Sequence, residues 1–325
     1  MSHPVRNIVG VEDHPLTPTQ RRVLKELMAA GRPRPSFPDT LAERLRATLE
    51  EGLSEAAAQV GPDGVVIRKA DLAQVHACEA HYLAETTSPF GWNSRNARGT
   101  VAHKAIELSV NLRPCPPPAE LVDLAIDRLV EEDWDWGPGR WLSEAPPTEA
   151  AELRAYAADV VHKFSDEFPP LKPLWRPRLE SSLSAVLCGG RVTLRGKVDL
   201  ALGQAQGTEA RVMIVDFKTG QPAASHRDDL WYYALLETLR AGVPPFRVAS
   251  WYLDSGHGQW DDIDEDVLAS AARRVVDGVA KVTELRAGER EARLQPGPTC
   301  GYCVLRAECT GAQAWAEHRA EAGVV

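Results

Sequence analysis

What this 325-residue sequence lacks narrows its class first. No apolar run approaches the ~20 residues that a bilayer-spanning helix needs, and the opening Met1-Ser-His-Pro-Val-Arg-Asn7 has no apolar signal core. The chain is therefore expected in the cytoplasm, with no membrane partner. An excess of positive charge is missing too: 37 Lys and Arg against 46 Asp and Glu leave a net charge of -9. This excludes a protein that coats nucleic acid by charge alone and confines any such contact to a local basic strip. Only six cysteines are present, and in a reducing compartment they read as metal ligands or free thiols rather than disulfides. With 44% hydrophobic and 26% charged residues, composition leaves room for one large globular domain or a core domain with an insertion.

What is present centres on two short apolar runs, Leu194-Arg-Gly-Lys-Val-Asp-Leu200 and Met213-Ile-Val-Asp-Phe-Lys-Thr-Gly220. Both read as strands, and each carries one acid in apolar surroundings, Asp199 and Asp216. Lys218 stands two residues after Asp216, so alternation at period two puts both on one strand face. Two carboxylates and an ammonium then meet where burial alone would favour Val or Ile, which is costly unless a metal ion or a phosphate compensates them.

Taken in order, the chain predicts a helix over about 17–30 and a second one capped by Asp39, with Leu41, Leu45, Leu49 and Leu53 as its apolar stripe. A turn at Gly61-Pro-Asp-Gly64 precedes a helix over 69–85 whose inner side includes Leu72, Val75, Cys78 or His76, and Leu83. Another helix opens at Arg98, behind Gly99, and puts His103 and Glu107 on one face. Beyond the Pro114–Pro118 break, helices are predicted at 119–132 and 148–168, around an aromatic, Gly-rich stretch from Trp134 to Trp141 that reads as a Trp-anchored loop. From Arg178 the period becomes two, with Gly189-Gly190 as a turn, so the two acidic runs extend an antiparallel meander. A helix at 228–239, a strand at 247–253 and a helix at 264–286 complete an α/β (α+β) pattern: a central mixed sheet flanked by helices, with a helical N-terminal layer and a helical insertion.

Cys300, Cys303 and Cys309 form a Cys-x2-Cys-x5-Cys run whose thiols can converge on one metal centre, but a closed site needs a fourth ligand. No second Cys pair lies nearby. Cys115 sits in a Pro run and Cys188 at a hairpin turn, which leaves Cys78 as the best-placed candidate.

One early Cys with this late trio, together with Gly99-x3-His103, Gly196-Lys-Val-Asp199 and Asp216-Phe-Lys-Thr-Gly220, resembles the RecB-type nucleases of the PD-(D/E)XK superfamily. The resemblance is to the subgroup with an iron–sulfur clasp, which includes CRISPR-adaptation exonucleases. It covers about 66–110 and 176–311. It implies a restriction-endonuclease-like nuclease domain over 66–311, inserted helically at about 115–175, after an N-terminal segment 1–65 and before a tail 312–325.

The resemblance also implies site roles. His103, Asp199, Asp216 and the backbone carbonyl of Phe217 would hold Mg²⁺ or Mn²⁺, with Asp199, Asp216 and Lys218 as the catalytic group. Cys78, Cys300, Cys303 and Cys309 would hold a 4Fe–4S cluster. Glu180 and Glu107 are candidate supporting or second-metal carboxylates, and Arg191, Arg195 and Lys197 candidate phosphate contacts. The family's Gln-x3-Tyr helix aligns with Asp229 and Tyr233, so Tyr is kept while Gln has become an acid. That acid repels a phosphate unless a cation, or Arg227, screens it. The expected activity is metal-dependent DNA hydrolysis, exonucleolytic and favouring single strands, in repair, recombination or defence, with a helicase or other repair or defence protein as a candidate partner. The competing readings are an inactive nuclease-fold scaffold that binds DNA or a helicase, and a zinc-stabilised interaction module.

Overall fold

The computed structural model describes residues 15–29, 31–88, 90–132 and 137–321; Trp134 and Trp136 of the aromatic stretch lie outside these. An N-terminal layer of α1 (Pro18–Leu27), α2 (Leu41–Gly52) and α3 (Ser54–Gln59) leads to β1 (Val65–Arg68), α4 (Lys69–Ala77) and α5 (Glu79–Thr87). Next come α6 (Ser94–Asn111), α7 (Pro118–Glu131), α8 (Gly139–Glu144) and α9 (Pro147–Glu167). The chain then forms β2 (Arg178–Leu187), β3 (Val192–Leu202), β4 (Met213–Lys218), α10 (Ser225–Ala241), β5 (Arg247–Tyr252) and β6 (His257–Asp262). It ends in α11 (Glu265–Ala287) and α12 (Thr310–Glu321).

The sheet is mixed, in the order β1-β3-β4-β5-β6, with β2 paired to β3. This is the architecture of a restriction-endonuclease-like α/β fold. Helix α10 packs across β2 to β5, with α11 behind it. On the other face, Phe164 and Phe168 at the end of α9 pack edge-on against Phe217 and, for Phe168, Trp251. With both faces covered, every residue of β5 is buried, including Arg247 and Ser250. The Leu41, Leu45, Leu49 and Leu53 stripe is buried, and α2 packs on α11, α10 and β2.

Several local expectations are corrected. Asp39 does not cap α2: Thr40 holds the N-cap position, and no side-chain cap bond is made. The helix carrying His103 starts at Ser94 instead of Arg98, because Asn93 and Asn96 form a reciprocal capping box there. Gly99 consequently lies inside the helix. The predicted helix over 69–85 breaks at Cys78, whose extended backbone (φ -166°, ψ 118°) ends α4 and starts α5. Two strands went unforeseen. β1 has only four residues, and β6, His257-Gly-Gln-Trp-Asp-Asp262, is too polar to show an apolar alternation.

Register explains where the sheet opens. β2 occupies one edge of β3 from Val192 to Ala201. On the other edge β1 runs parallel to β3 and stops at the pair Arg68–Arg195, while β4 runs antiparallel and pairs with β3 only from Leu200–Val215 to Leu202–Met213. The C-terminal ends of β1 and β4 therefore point at each other along one edge of β3, leaving residues 196–199 unpaired there. Tyr232 of α10 pins the β1 side, its hydroxyl donating to the carbonyls of Ile67 and Arg195 at 3.0 Å each.

Candidate active site

The gap between β1 and β4 opens as a cleft of about 440 Å³ lined by Lys69, His103, Asp199, Asp216, Phe217 and Tyr233, among others. From β3, Asp199 accepts the Phe217 N–H at 2.6 Å and lies 3.4 Å from His103 Nδ1. Glu180 sits across from Asp199, because β2 and β3 pair Leu179 with Leu200 and Ser181 with Val198. It does so with φ at +49°, a left-handed conformation that costs a non-glycine residue about 1–2 kcal/mol. His103, Glu180 and Asp199 are, among the described residues, the group whose metal-ligating atoms lie within 4.8 Å of one another. One imidazole and two carboxylates suit a hard divalent cation such as Mg²⁺ or Mn²⁺. Burial alone would lower the His103 pKa, but Asp199, Glu180 and Asp216 more than offset it and push it upward.

Asp216 belongs to an adjoining cluster. It is 2% exposed, with Lys69 donating to Oδ1 at 3.2 Å and Lys218 approaching Oδ2 at 2.7 Å as an ion pair outside hydrogen-bond geometry. Asp229, from α10, takes a hydrogen bond from Lys218 at 3.1 Å and an ion pair from Lys69 at 3.7 Å. Burial opposes every charge here. Even so, the two lysines hold Asp216 below the usual carboxylate range, and the acids raise both lysines above theirs. Two ammonium groups and two carboxylates thus neutralise one another.

Asp229 is therefore screened by Lys218 and Lys69, not by Arg227, which forms a two-pronged pair with Asp261 at 2.8 and 2.9 Å. Lys69 is the member that sequence reading missed. Its signal was the β-branched Val65-Val-Ile67 after the Gly64 turn, a strand end aimed at the acids, too short to stand out beside a helix start. If Lys69 and Asp229 are matched charges, removing either alone should destabilise the protein more than removing both. A urea-denaturation cycle over Lys69→Met, Asp229→Gln and the double variant should show a coupling of about 1–3 kcal/mol.

Tyr233 is buried beneath Lys69, whose ammonium lies 4.9 Å from the ring centroid, and burial pushes its phenol pKa well up. A Cβ on Gly196 would come within 2.8 Å of that ring, which is why the strand needs glycine there. Gly99 lets α6 approach the turn after β4, since a Cβ there would sit 3.3 Å from Thr219 Oγ1. Glu107 does not join the cluster; it pairs with Lys104 at 3.3 Å. Arg191 also lies elsewhere, at the far end of β3, donating to the Val60 carbonyl. Arg195 and Lys197 line the cleft, and Lys197 pairs with Glu180 at 2.5 Å.

At the other end of α4, the C-terminal segment returns to Cys78. Glu79, 2% exposed, accepts two bonds from the Arg290 guanidinium and one from Arg293 N–H at 2.9 Å. Cys78 Sγ lies 3.9 Å from the Arg293 carbonyl oxygen, and His81 meets Tyr302 edge-on. Burial raises the Cys303 thiol pKa, and the neighbouring Cys78, Cys300 and Cys309 push it further. Cys78 and Cys300 are buried, whereas Cys115 is exposed and Cys188 faces the Glu50 carbonyl.

Comparison with known proteins gives one family. Residues 70–310 match the PD-(D/E)XK nuclease superfamily. No curated protein matches the chain. Among solved structures, SSO0001 superposes with a TM-score of 0.33 at 13% identity, over 83% of this chain and 97% of that one. A protein named "Putative exonuclease" from Eubacterium rectale superposes at 0.44 and 12% identity, over 75% and 88%. The match spans β2 to β6, His103, Glu180, Asp199, Asp216 and the cysteine run, and the chain belongs to the PD-(D/E)XK nuclease superfamily.

Proposed function

We propose that the chain is a metal-dependent deoxyribonuclease of the RecB type, acting exonucleolytically on single strands and stapled by a 4Fe–4S cluster. The observation that carries this reading is an open cleft lined by His103, Asp199 and Asp216, with Glu180 beside the first two and Lys218 paired to Asp216. His103, Asp199 and Glu180 would hold Mg²⁺ or Mn²⁺, with Asp216 and the Phe217 carbonyl as the remaining candidates. When bound, the cation offsets the charge on the scissile phosphate and makes water a better nucleophile. Lys218 supplies a fixed donor for the charge that develops on the phosphoryl oxygens, held in place by Asp216 and Asp229. Phe217 N–H keeps Asp199 turned into the cleft.

Cys78, Cys300, Cys303 and Cys309 would hold the cluster; in support, the neighbours whose charge raises the Cys303 pKa are the other three cysteines, and the C-terminal segment is already tied to α5 by Glu79 and Arg290. The bound cluster supplies a covalent cross-link between segments more than two hundred residues apart. Nuclease domain, N-terminal layer and tail are proposed at 66–311, 1–65 and 312–325.

The test is incubation with Mn²⁺ or EDTA and end-labelled single-stranded DNA, duplex DNA or RNA. Cation-dependent shortening of single-stranded DNA from an end is expected, and no cleavage of any nucleic acid would overturn the reading. Protein purified without oxygen should be brown and carry about four irons per chain. Stoichiometric zinc without iron would remove the cluster from the proposal.

A further inference from the structure

Arg195, Lys197 and Asp199 occupy alternate positions of β3 and so share one face of the strand, each about 7 Å from the next. The intervening Leu194, Val198 and Leu200 are buried, which fixes the orientation: the charged series is the outward one. β1 ends with Arg68 in register beside Arg195, and both arginines line the cleft with Lys197. On the opposite edge, β2 sets the small, exposed Ser184 and Ser182 across from Arg195 and Lys197.

The cations differ in how far they are spoken for. Lys197 is drawn to Glu180 at 2.5 Å. Arg68 and Arg195 are both exposed, and neither has an ion-pair partner among the described residues. Two neighbouring guanidinium groups repel each other, a cost that a shared anion reverses. In a chain of net charge -9, such a spot also stands out as an attractor for a polyanion.

We infer that Arg68 and Arg195, with Lys197 between them and the acids, form a track for the backbone of a single nucleic-acid strand leading to the scissile phosphate at Asp199. This rests on the nuclease reading and adds the path that the substrate takes. From the Arg68–Arg195 pair the row narrows to Lys197 alone, with uncharged serines along its β2 side, so it matches one phosphodiester backbone; a duplex would need a second row for its other strand. Guanidinium forks bind phosphate bidentately and carry no base information, so the track grips strands without regard to sequence.

The experiment compares wild type with Arg68→Gln/Arg195→Gln and with Arg128→Gln/Arg140→Gln, a control with the same charge change on α7 and α8. Fluorescence anisotropy with labelled oligo(dT), its RNA counterpart and a duplex, without added divalent cation, is followed from about 50 to about 200 mM salt. The Arg68/Arg195 variant should bind the single strands at least about tenfold more weakly, with the slope of log K against log salt shallower by about 1.4. The control should follow wild type, and all three should melt alike. Equal loss on DNA and RNA strands would place recognition in the shared phosphates, and loss on only one would overturn a backbone track. Tighter binding of the duplex than of the single strands would overturn the single-strand assignment. Wild type that cleaves with Mn²⁺ while the Arg68/Arg195 variant binds and cleaves equally well would sink the track alone. Arg68- and Arg195-dependent binding with no cleavage at all would sink the nuclease reading and leave the track standing.

Discussion

Lys218→Ala is expected to leave the protein folded and able to bind Mn²⁺ while slowing DNA cleavage at least about a hundredfold. Losing one preorganised donor to developing charge typically costs about 3 kcal/mol of transition-state stabilisation, or a factor of ~10²–10³ in rate. Removing Lys218 still leaves Lys69 to face Asp216 and Asp229, so the buried acids keep a counter-charge. Asp216→Ala should behave differently. It takes away the most buried carboxylate of the cluster and leaves two lysines facing Asp229 alone, a loss on the order of 3 kcal/mol in stability. Cleavage should fall in both variants, but only Asp216→Ala should shift the urea midpoint strongly. Calorimetric Mn²⁺ titration, urea melts and a cleavage time course separate the two. A Lys218→Ala protein that cleaves within a few-fold of wild type would remove Lys218 from the chemistry.

The second large effect is expected at the clasp. Cys300→Ala should destabilise the whole domain, because the proposed cluster would tie the C-terminal segment to Cys78 across a very long loop. Cross-linking a loop of that size stabilises by on the order of 5 kcal/mol through the entropy of the unfolded chain, an upper figure when the folded state is strained. For a domain of this size that corresponds to a melting point lower by roughly 10 °C. The Glu79–Arg290 pair and the Arg293 N–H bond to Glu79 remain in the variant, so the segment is weakened and not freed outright. Limited proteolysis should then cut first beyond these ties, at Arg306 between the cysteines. If the variant loses its iron yet melts with wild type, the structural role of the clasp is wrong.

The sequence by itself determined the elements whose signal is local. Asp199, Asp216 and Lys218 stood out because charge is rare in strands that must pack on both faces, and period-two alternation placed Asp216 and Lys218 together without any coordinates. The α2 stripe, the hairpin at Gly189-Gly190 and the helix at 228–239 were legible for the same reason: each is written in a short window. Cys78 was singled out only by the weakness of Cys115 and Cys188.

Only the tertiary structure decided which charges neutralise which. Lys69 and Asp216 are 147 residues apart, and nothing in either neighbourhood signals the other. They meet because β1 and β4 share one edge of β3 with their ends head-on, and that edge is set by pairing, not by residue type. The same pairing raises Glu180 from a marginal candidate to a neighbour of His103 and Asp199, at a backbone angle no propensity would suggest. It also turns the anomalous acid Asp229 into the partner of Lys218 and Lys69, and sets Arg68 beside Arg195. A sequence shows that a charge is buried in a strand; which distant charge balances it depends on strand order and register, and those are fixed by packing the whole sheet.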